Sequence, residues 1–366
     1  MSEPKSVIEF FSKIPDPRRG AGQRHEQTFI LLITLMSTMS KYYGYRAVGD
    51  FIKRNRTDLI EQFKPKKDRL PTFYTVRRVL QGIDFSLLSE QFHQWALQYV
   101  CISEQEWVSI DGKRIGGTTT NSKNTNQHFI NLVSLYCSKQ KLVIGNALVS
   151  NSKESEIPVV QQLIEALDIK GVTFTLDALH CQKKTSEVII NSGNDYVLGV
   201  KGNQPKLLEQ IKHVTSNRDQ ISSSYIEMEI NRGRTELRCV SVSDCIENIS
   251  KEWVGLKQLI SVYRKVKEKG KTREELAYFI SSRQSNAFYY SEGIRLHWEI
   301  ENSLHYVKDV TFEEDASKIR TSNAPQNIST IKNIAINILR KNEYGNMAQA
   351  MRLVSNNISV IKNMVA

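Results

Sequence analysis

The feature that most restricts the fold is a change of texture near Glu106. Before it, apolar residues recur at helical spacing. After it, they come in short β-type runs interrupted by helical stretches. Trp107-Val-Ser-Ile-Asp111 is a brief apolar run closing on Asp-Gly, and His128 to Tyr136 and Lys141 to Val149 read as two further strands around the polar turn Ser138-Lys139-Gln140. Pro158 to Leu167 has helical periodicity, with the proline at the first helical position, where a missing N–H is tolerated. Gly171 to Asp177 is a strand ending in Asp. Gln182 to Asn191 is a helix, Tyr196 to Val200 a strand and Gln204 to Thr215 a helix. Three strands in a row, then helix, strand, helix, strand, helix, predict a mixed α/β layer.

The flanks divide the chain further. Residues 1–103 read as an all-helical domain: a short amphipathic helix from Val7 to Ile14 stopped at Pro15-Asp16-Pro17, an apolar core helix from Phe29 to Ser40, and a helix from Phe73 onward carrying Arg77 and Arg78. Its basic loops and basic helix suit DNA recognition. The most apolar run, Phe29 to Met39, is shorter than the roughly 20 residues a bilayer span needs. Residues 104–221 form the first part of the α/β core, and 222–285 a β insertion. There Tyr225 to Ile230 and Thr235 to Val242 flank the turn Asn231-Arg232-Gly233-Arg234, and Leu256 to Tyr263 and Leu276 to Ile280 flank a basic connector, Arg264 to Arg273. Residues 286–341 return to the core with a helix from about Ala287 to Lys308 and another from Gln326 to Lys341. Residues 342–366 read as a terminal helix.

Across 366 residues the formal net charge is +11, which makes a polyanion the better expectation for a partner. The five cysteines, Cys101, Cys137, Cys181, Cys239 and Cys245, are scattered, with no CxxC pair, so neither a zinc ribbon nor a disulfide framework is indicated. The N-terminus has no basic stretch followed by an apolar core, so no signal peptide is read there. A cytoplasmic protein with no membrane association is expected.

The chemistry concentrates in carboxylates. Asp111 and Asp177 each close an apolar strand, and a carboxylate at the end of a buried strand is costly unless something pairs with it. In the helix after Ala287, His297, Glu301, His305 and Lys308 follow at spacings of four, four and three, which put them on one helical face. Glu301 supplies a third carboxylate. Three carboxylates from separate elements suit two Mg²⁺ ions, which prefer oxygen ligands, with Mn²⁺ as a substitute. A zinc hydrolase built on His297, Glu301 and His305 fits poorly, because the two histidines stand eight residues apart rather than four.

Several motifs carry a resemblance: Ile110-Asp111-Gly112-Lys113; Thr175-Leu-Asp177-Ala178-Leu-His180-Cys-Gln182; Val200-Lys201-Gly202-Asn203-Gln204; His297-Trp298-Glu-Ile-Glu301-Asn302 with Leu304-His305; and Asp309-Val310 with Phe312-Glu313-Glu314-Asp315. With Ile14-Pro-Asp-Pro-Arg18 and Lys153 to Ile157, they resemble, in order, the H-repeat-associated family of bacterial insertion-sequence transposases, within the wider DDE transposases. The resemblance covers most of the chain. It implies a ribonuclease H-like mixed sheet flanked by helices, with a β insertion before the third acid, and a strand-and-helix order already compatible with that core. It implies Asp111, Asp177 and Glu301 as catalytic metal ligands. The expected activity is cleavage of element ends and joining of 3′-hydroxyls to target DNA. The alternative is a domesticated or nuclease-only relative that binds or cuts DNA without transposing. The partners implied are terminal inverted repeats and target DNA, the assembly a homodimer or larger, and the location the cytoplasm, at the nucleoid when DNA-bound. In the wider group's Tyr-Arg-Glu-Lys signature, Lys308 matches the Lys by spacing, His297 stands at the Arg position and Ile294 at the Tyr position. The expected DNA contacts are Lys308, His297, His305, Asn302, Lys201, Asn203, Gln204, Arg232, Arg234, Arg77 and Arg78.

Overall fold

A computed structural model describes residues 6–100, 106–120, 128–149 and 156–366. Six helices come first: α1 (Val7–Ser12), α2 (Gln27–Met39), α3 (Tyr45–Arg54), α4 (Arg56–Phe63), α5 (Phe73–Gly82) and α6 (Phe85–Ala96). Strands β1 (Trp107–Thr120), β2 (His128–Cys137) and β3 (Leu142–Val149) follow, then α7 (Glu156–Ala166), β4 (Thr173–Leu176), α8 (Lys183–Asn191), β5 (Asp195–Val200) and α9 (Pro205–Ser216). Four strands come next: β6 (Ser223–Asn231), β7 (Arg234–Ser243), β8 (Gln258–Glu268) and β9 (Lys271–Ser281). The chain closes with α10 (Ala287–His297), π-helical segments at Ile300–His305 and Val307–Thr311, α11 (Ala324–Lys341), α12 (Met347–Val354) and α13 (Ile358–Val365). Among the described residues no helix is long and apolar enough to cross a membrane.

The chain forms two compact units. The first comprises Met1–Cys101, Gly112–Glu156 and Glu301–Ala366. Its strands run in the order β3-β2-β1, with β2 and β3 antiparallel from Asn131↔Val149 to Cys137↔Leu142. Helices α2 and α11 are buried nearly all round, so the polar groups of α11 must find partners inside the unit. Asn337 accepts from the Val143 N–H at 2.9 Å and donates to the Val143 carbonyl at 2.7 Å, pinning α11 to β3. Asn327 donates to the carbonyls of Leu80 and Ile83, fixing α11 to the end of α5.

The second unit comprises Ile102–Asp111 and Ile157–Ile300, with strands in the order β1-β4-β5-β9-β8-β7-β6. β4 runs parallel to the start of β1 and to β5, and β9 pairs antiparallel with β5. The insertion strands therefore extend the same sheet. Trp107, Val197, Val240, Ile260, Tyr290 and Ile294 belong to one buried cluster that seats α10 on this sheet. Gly293 permits the approach: a Cβ there would lie 1.8 Å from the Trp107 ring. The second unit is thus a mixed sheet, with β4 and β5 parallel to the start of β1 and β9 antiparallel to β5.

Several expectations change. Asp111 lies inside β1, which runs on to Thr120, because its glycines and threonines continue the strand with β2 rather than turning. The stretch Arg264 to Arg273 is mostly strand: β8 and β9 pair from Gln258↔Ser281 to Glu268↔Lys271 and reverse at Lys269-Gly270, both at positive φ. The helix expected to Lys308 leaves α geometry at Trp298 and continues in wider π turns, which break the one-face spacing. The terminal segment is two helices, not one. Cys101, and all of Lys153 to Ile157 except Glu156 and Ile157, fall outside the described residues.

Candidate active site

In the second unit the two aspartates are brought together by strand register. β1 and β4 pair in parallel as far as Ser109↔Thr175. Asp111, still within β1, and Asp177, just past the end of β4, each stand two residues beyond that pair, which sets them at the same level and on the same face. Asp177 is exposed and caps the 3₁₀ turn Ala178–His180, its carboxylate accepting from the Leu179 N–H at 3.0 Å.

The motif around Val200 holds that turn from the next strand. Asn203 donates to the Ala178 carbonyl at 2.6 Å, and Gln204 donates to the Cys181 carbonyl at 2.9 Å. Both amides, expected as DNA contacts, are spent on positioning the Asp177 turn. Lys201 is exposed. Gly199 fits closely behind the turn, since a Cβ there would lie 3.4 Å from the Ala178 nitrogen.

His297, at the end of α10, is half-buried and bonded to the backbone of Thr175, two residues before Asp177. Burial pushes its pKa down to about 4, although the Asp177 carboxylate and the Thr175 bond oppose the shift. It is therefore neutral near pH 7. A neutral ring packed on the Asp177 strand thus stands where the wider group's signature carries Arg. In the insertion, Arg232 is exposed at the β6–β7 turn with φ +48°, followed by Gly233 at +79°, while Arg234 is bonded to Glu236 at 2.6 Å.

In the first unit, Glu301 and Asn302 are exposed on the π segment, which Leu304 and Phe312 anchor in the core. His305 is half-buried. Burial, reinforced by Lys308 and Lys113, pushes its pKa down to about 3, so it too is neutral. Lys308 departs furthest from expectation. Its side chain is 2% exposed and its ammonium donates to Ser329 at 2.7 Å and faces Glu314 at 3.4 Å. It cannot reach a phosphate from there. Arg77 and Arg78 are exposed on α5, Arg77 lying 6.0 Å from the Tyr45 ring.

Sequence reasoning missed the cluster around Lys308. Glu314 is 2% exposed and faces Lys308, Lys113 at 3.7 Å and Lys332 at 3.9 Å. Lys113 also pairs with Asp309 at 2.7 Å and Asp315 at 3.3 Å, and Asp315 accepts from the Gly116 N–H. The cluster ties β1, the π segment and α11 together within this unit. Its signal was present in the sequence as Lys113 and the run Phe312-Glu313-Glu314-Asp315, but nothing there distinguished burial from solvation. Among the described residues, no three histidine, cysteine or acidic side chains are gathered as a metal site.

Comparison with known proteins then gives the class. Residues 103–338 match the family described as transposase DDE domain, and residues 8–96 match the DDE_Tnp_1-associated domain. The chain belongs to the DDE transposases, enzymes of transposition, and within them to the H-repeat-associated family of insertion sequences. It is 32% identical over 373 residues to YncI of Escherichia coli O157:H7, a protein named as a transposase, covering 99% of this chain and 95% of the relative. It is 33% identical over 347 residues to YhhI of Escherichia coli K12, named as H repeat-associated, covering 92% and 91%. A cryo-EM structure of a piggyBac transposase synaptic complex with hairpin DNA aligns with 98% of this chain and 77% of its own at 13% identity, with a TM-score of 0.47.

Proposed function

We propose that this enzyme cleaves the ends of its insertion sequence and joins their 3′-hydroxyls to target DNA, with Asp111, Asp177 and Glu301 as the metal-binding carboxylates. The observation that carries the reading is the level pairing of Asp111 and Asp177 on parallel strands, with His297 packed against the second. Glu301 follows His297 by four residues in the chain. The donor set is all carboxylate oxygen, which suits hard divalent cations such as Mg²⁺ or Mn²⁺. When bound, such ions supply activation of the attacking oxygen and stabilisation of the leaving oxygen in an in-line displacement.

The protein's own residues do the positioning. The 3₁₀ turn after β4, pinned by Asn203 and Gln204, holds the Asp177 carboxylate at the strand end. Neutral His297 fixes that strand end without adding a competing positive charge. The helical segment 1–103, with exposed Arg77 and Arg78, is the proposed reader of the terminal repeats, and Lys201 and Arg232 are proposed phosphate contacts. The protein acts as a homodimer or larger assembly in the DNA complex, at the nucleoid.

The test is strand transfer on DNA carrying the cognate terminal repeats, with Mg²⁺. Asp111→Asn, Asp177→Asn and Glu301→Gln are each expected to reduce cleavage and joining to background while far-UV circular dichroism stays unchanged. A Glu301→Gln protein that cleaves and joins like the parent sinks the assignment. A parent protein that cuts without joining replaces transposition with nuclease action.

A further inference from the structure

One strand of the insertion has the features of a surface made to meet itself. β6 ends the strand order, so one side of its backbone directs N–H and C=O groups out of the sheet. It pairs with β7 in unbroken register from Ser223↔Val242 to Asn231↔Arg234, with no bulge to twist the edge away. It contains no proline and no lysine, the residues that commonly guard such an edge. Five of its residues, Ile226-Glu227-Met228-Glu229-Ile230, read the same in both directions.

The side chains follow that symmetry. Ile226, Met228 and Ile230 lie on one face of the sheet and are 68%, 63% and 76% exposed. On the same face, the register places Cys239, Tyr263 and exposed Leu276 in line with Ile226, and Leu237 next to Met228. Glu227 and Glu229 lie on the other face, where Arg295 of α10 bonds Glu229 and lies 3.6 Å from Glu227.

We propose that β6 pairs antiparallel with β6 of a second copy of this chain, about a two-fold axis at Met228. A two-fold contact must be self-complementary, and a palindromic strand satisfies that condition in one register. Pairing about Met228 sets Met228 against Met228 and Ile226 against Ile230 of the second copy, joining two exposed apolar rows into one. A slip by one residue turns the apolar row of one copy against the glutamates of the other. The same register opposes Glu227 to Glu229 of the second copy. Arg295, already held between these two residues within one copy, sets a guanidinium beside each such pair. The proposal goes beyond the transposase reading and does not rest on its metal chemistry.

The experiment is sedimentation velocity on the full chain over a range of concentrations, without DNA. The parent is expected to be dimeric at high concentration and to dissociate on dilution. Met228→Lys is expected to be monomeric throughout, with unchanged circular dichroism and melting temperature, because the side chain is exposed. Arg295→Ala is expected to weaken the dimer, and added salt to recover part of that loss by screening the facing glutamates. Met228→Cys is expected to form a disulfide-linked dimer on mild oxidation, since directly opposed Cα atoms lie about 4.5–5.5 Å apart, whereas Ile226→Cys alone is not. A parent that stays monomeric at every concentration overturns the proposal. So does a dimer that survives Met228→Lys, which places the contact elsewhere, and so does cross-linking by Ile226→Cys in preference to Met228→Cys.

Discussion

Two glutamates in this protein are each surrounded by three cations, and they are not equivalent. In the first unit Glu314 faces Lys308, Lys113 and Lys332 at 3.4–3.9 Å. In the second, Glu236 accepts from Arg234, Arg238 and Arg264 at 2.6–2.8 Å. Burial alone would raise both carboxyls; instead the surrounding cations hold both at about 2. The arginine cluster is half-open to water and its planar forks make short, directed bonds. The lysine cluster is sealed, so its longer ion pairs act unscreened; Lys308 and Lys332 face Glu314, while Lys113 is shared between Glu314, Asp309 and Asp315. The lesson is that environment, more than the number or closeness of charges, sets what a charged group is worth.

That comparison can be broken by removing each acid in turn. Glu314→Gln is expected to destabilise the protein by about 3–5 kcal/mol in urea unfolding, the cost of stripping a buried ion cluster of its counter-charge. The pH dependence is the next largest effect. Glu314 has its folded pKa held below the ordinary 4.5, so its stabilisation is present above pH 4.5 and is lost as pH falls toward 2. Glu314→Gln should therefore flatten the decline of melting temperature in that window. Lys332 works in the opposite range: burial pushes its pKa down to about 8 against Glu314's pull. Between pH 8 and 10.5 the unfolded chain still holds that proton, so stability should rise with pH there, and Lys332→Met should remove the rise.

Glu236→Gln is expected to cost at most about 1 kcal/mol, shrinking with added salt, because the cluster is solvent-screened. The smallest effect separates burial from DNA contact. Lys308→Met should leave the salt dependence of DNA binding unchanged while lowering stability. Arg232→Ala should reduce the slope of log K against log salt by about 1 and leave stability untouched. A Lys308 variant that shifts the salt slope would mean its burial gives way in the complex.

Much of the catalytic layer was legible in the chain. The start of β1, the strand ending before Asp177, the helices between them and the Arg232-Gly233 hairpin turn announce themselves through period-two and helical spacing or through turn chemistry, whereas the run of β1 past Asp111 to Thr120 does not. The helix after Ala287 did not. Spacings of four, four and three describe one face only while α geometry lasts, and the π turns after Trp298 carry Glu301 to solvent and Lys308 inward. Asn203 and Gln204 stood out in the sequence as candidate DNA contacts, but their grip on the Ala178 and Cys181 carbonyls was not legible there, because an amide that grips a backbone carbonyl and one that grips a phosphate look alike in a sequence.

By itself, the amino-acid sequence determined the broad succession of strands and helices, the net positive charge, and the order of the acids Asp111, Asp177 and Glu301. These are local or additive properties, readable from periodicity and residue type. Tertiary structure alone decided that Asp111 and Asp177 stand level on parallel strands, that Lys308 and Glu314 are sealed inside while Glu236 stays wet, and that β6 is left at an edge with its palindrome exposed. Those outcomes depend on strand order, register and burial, which arise from contacts between residues tens to hundreds of positions apart and leave no period in the chain.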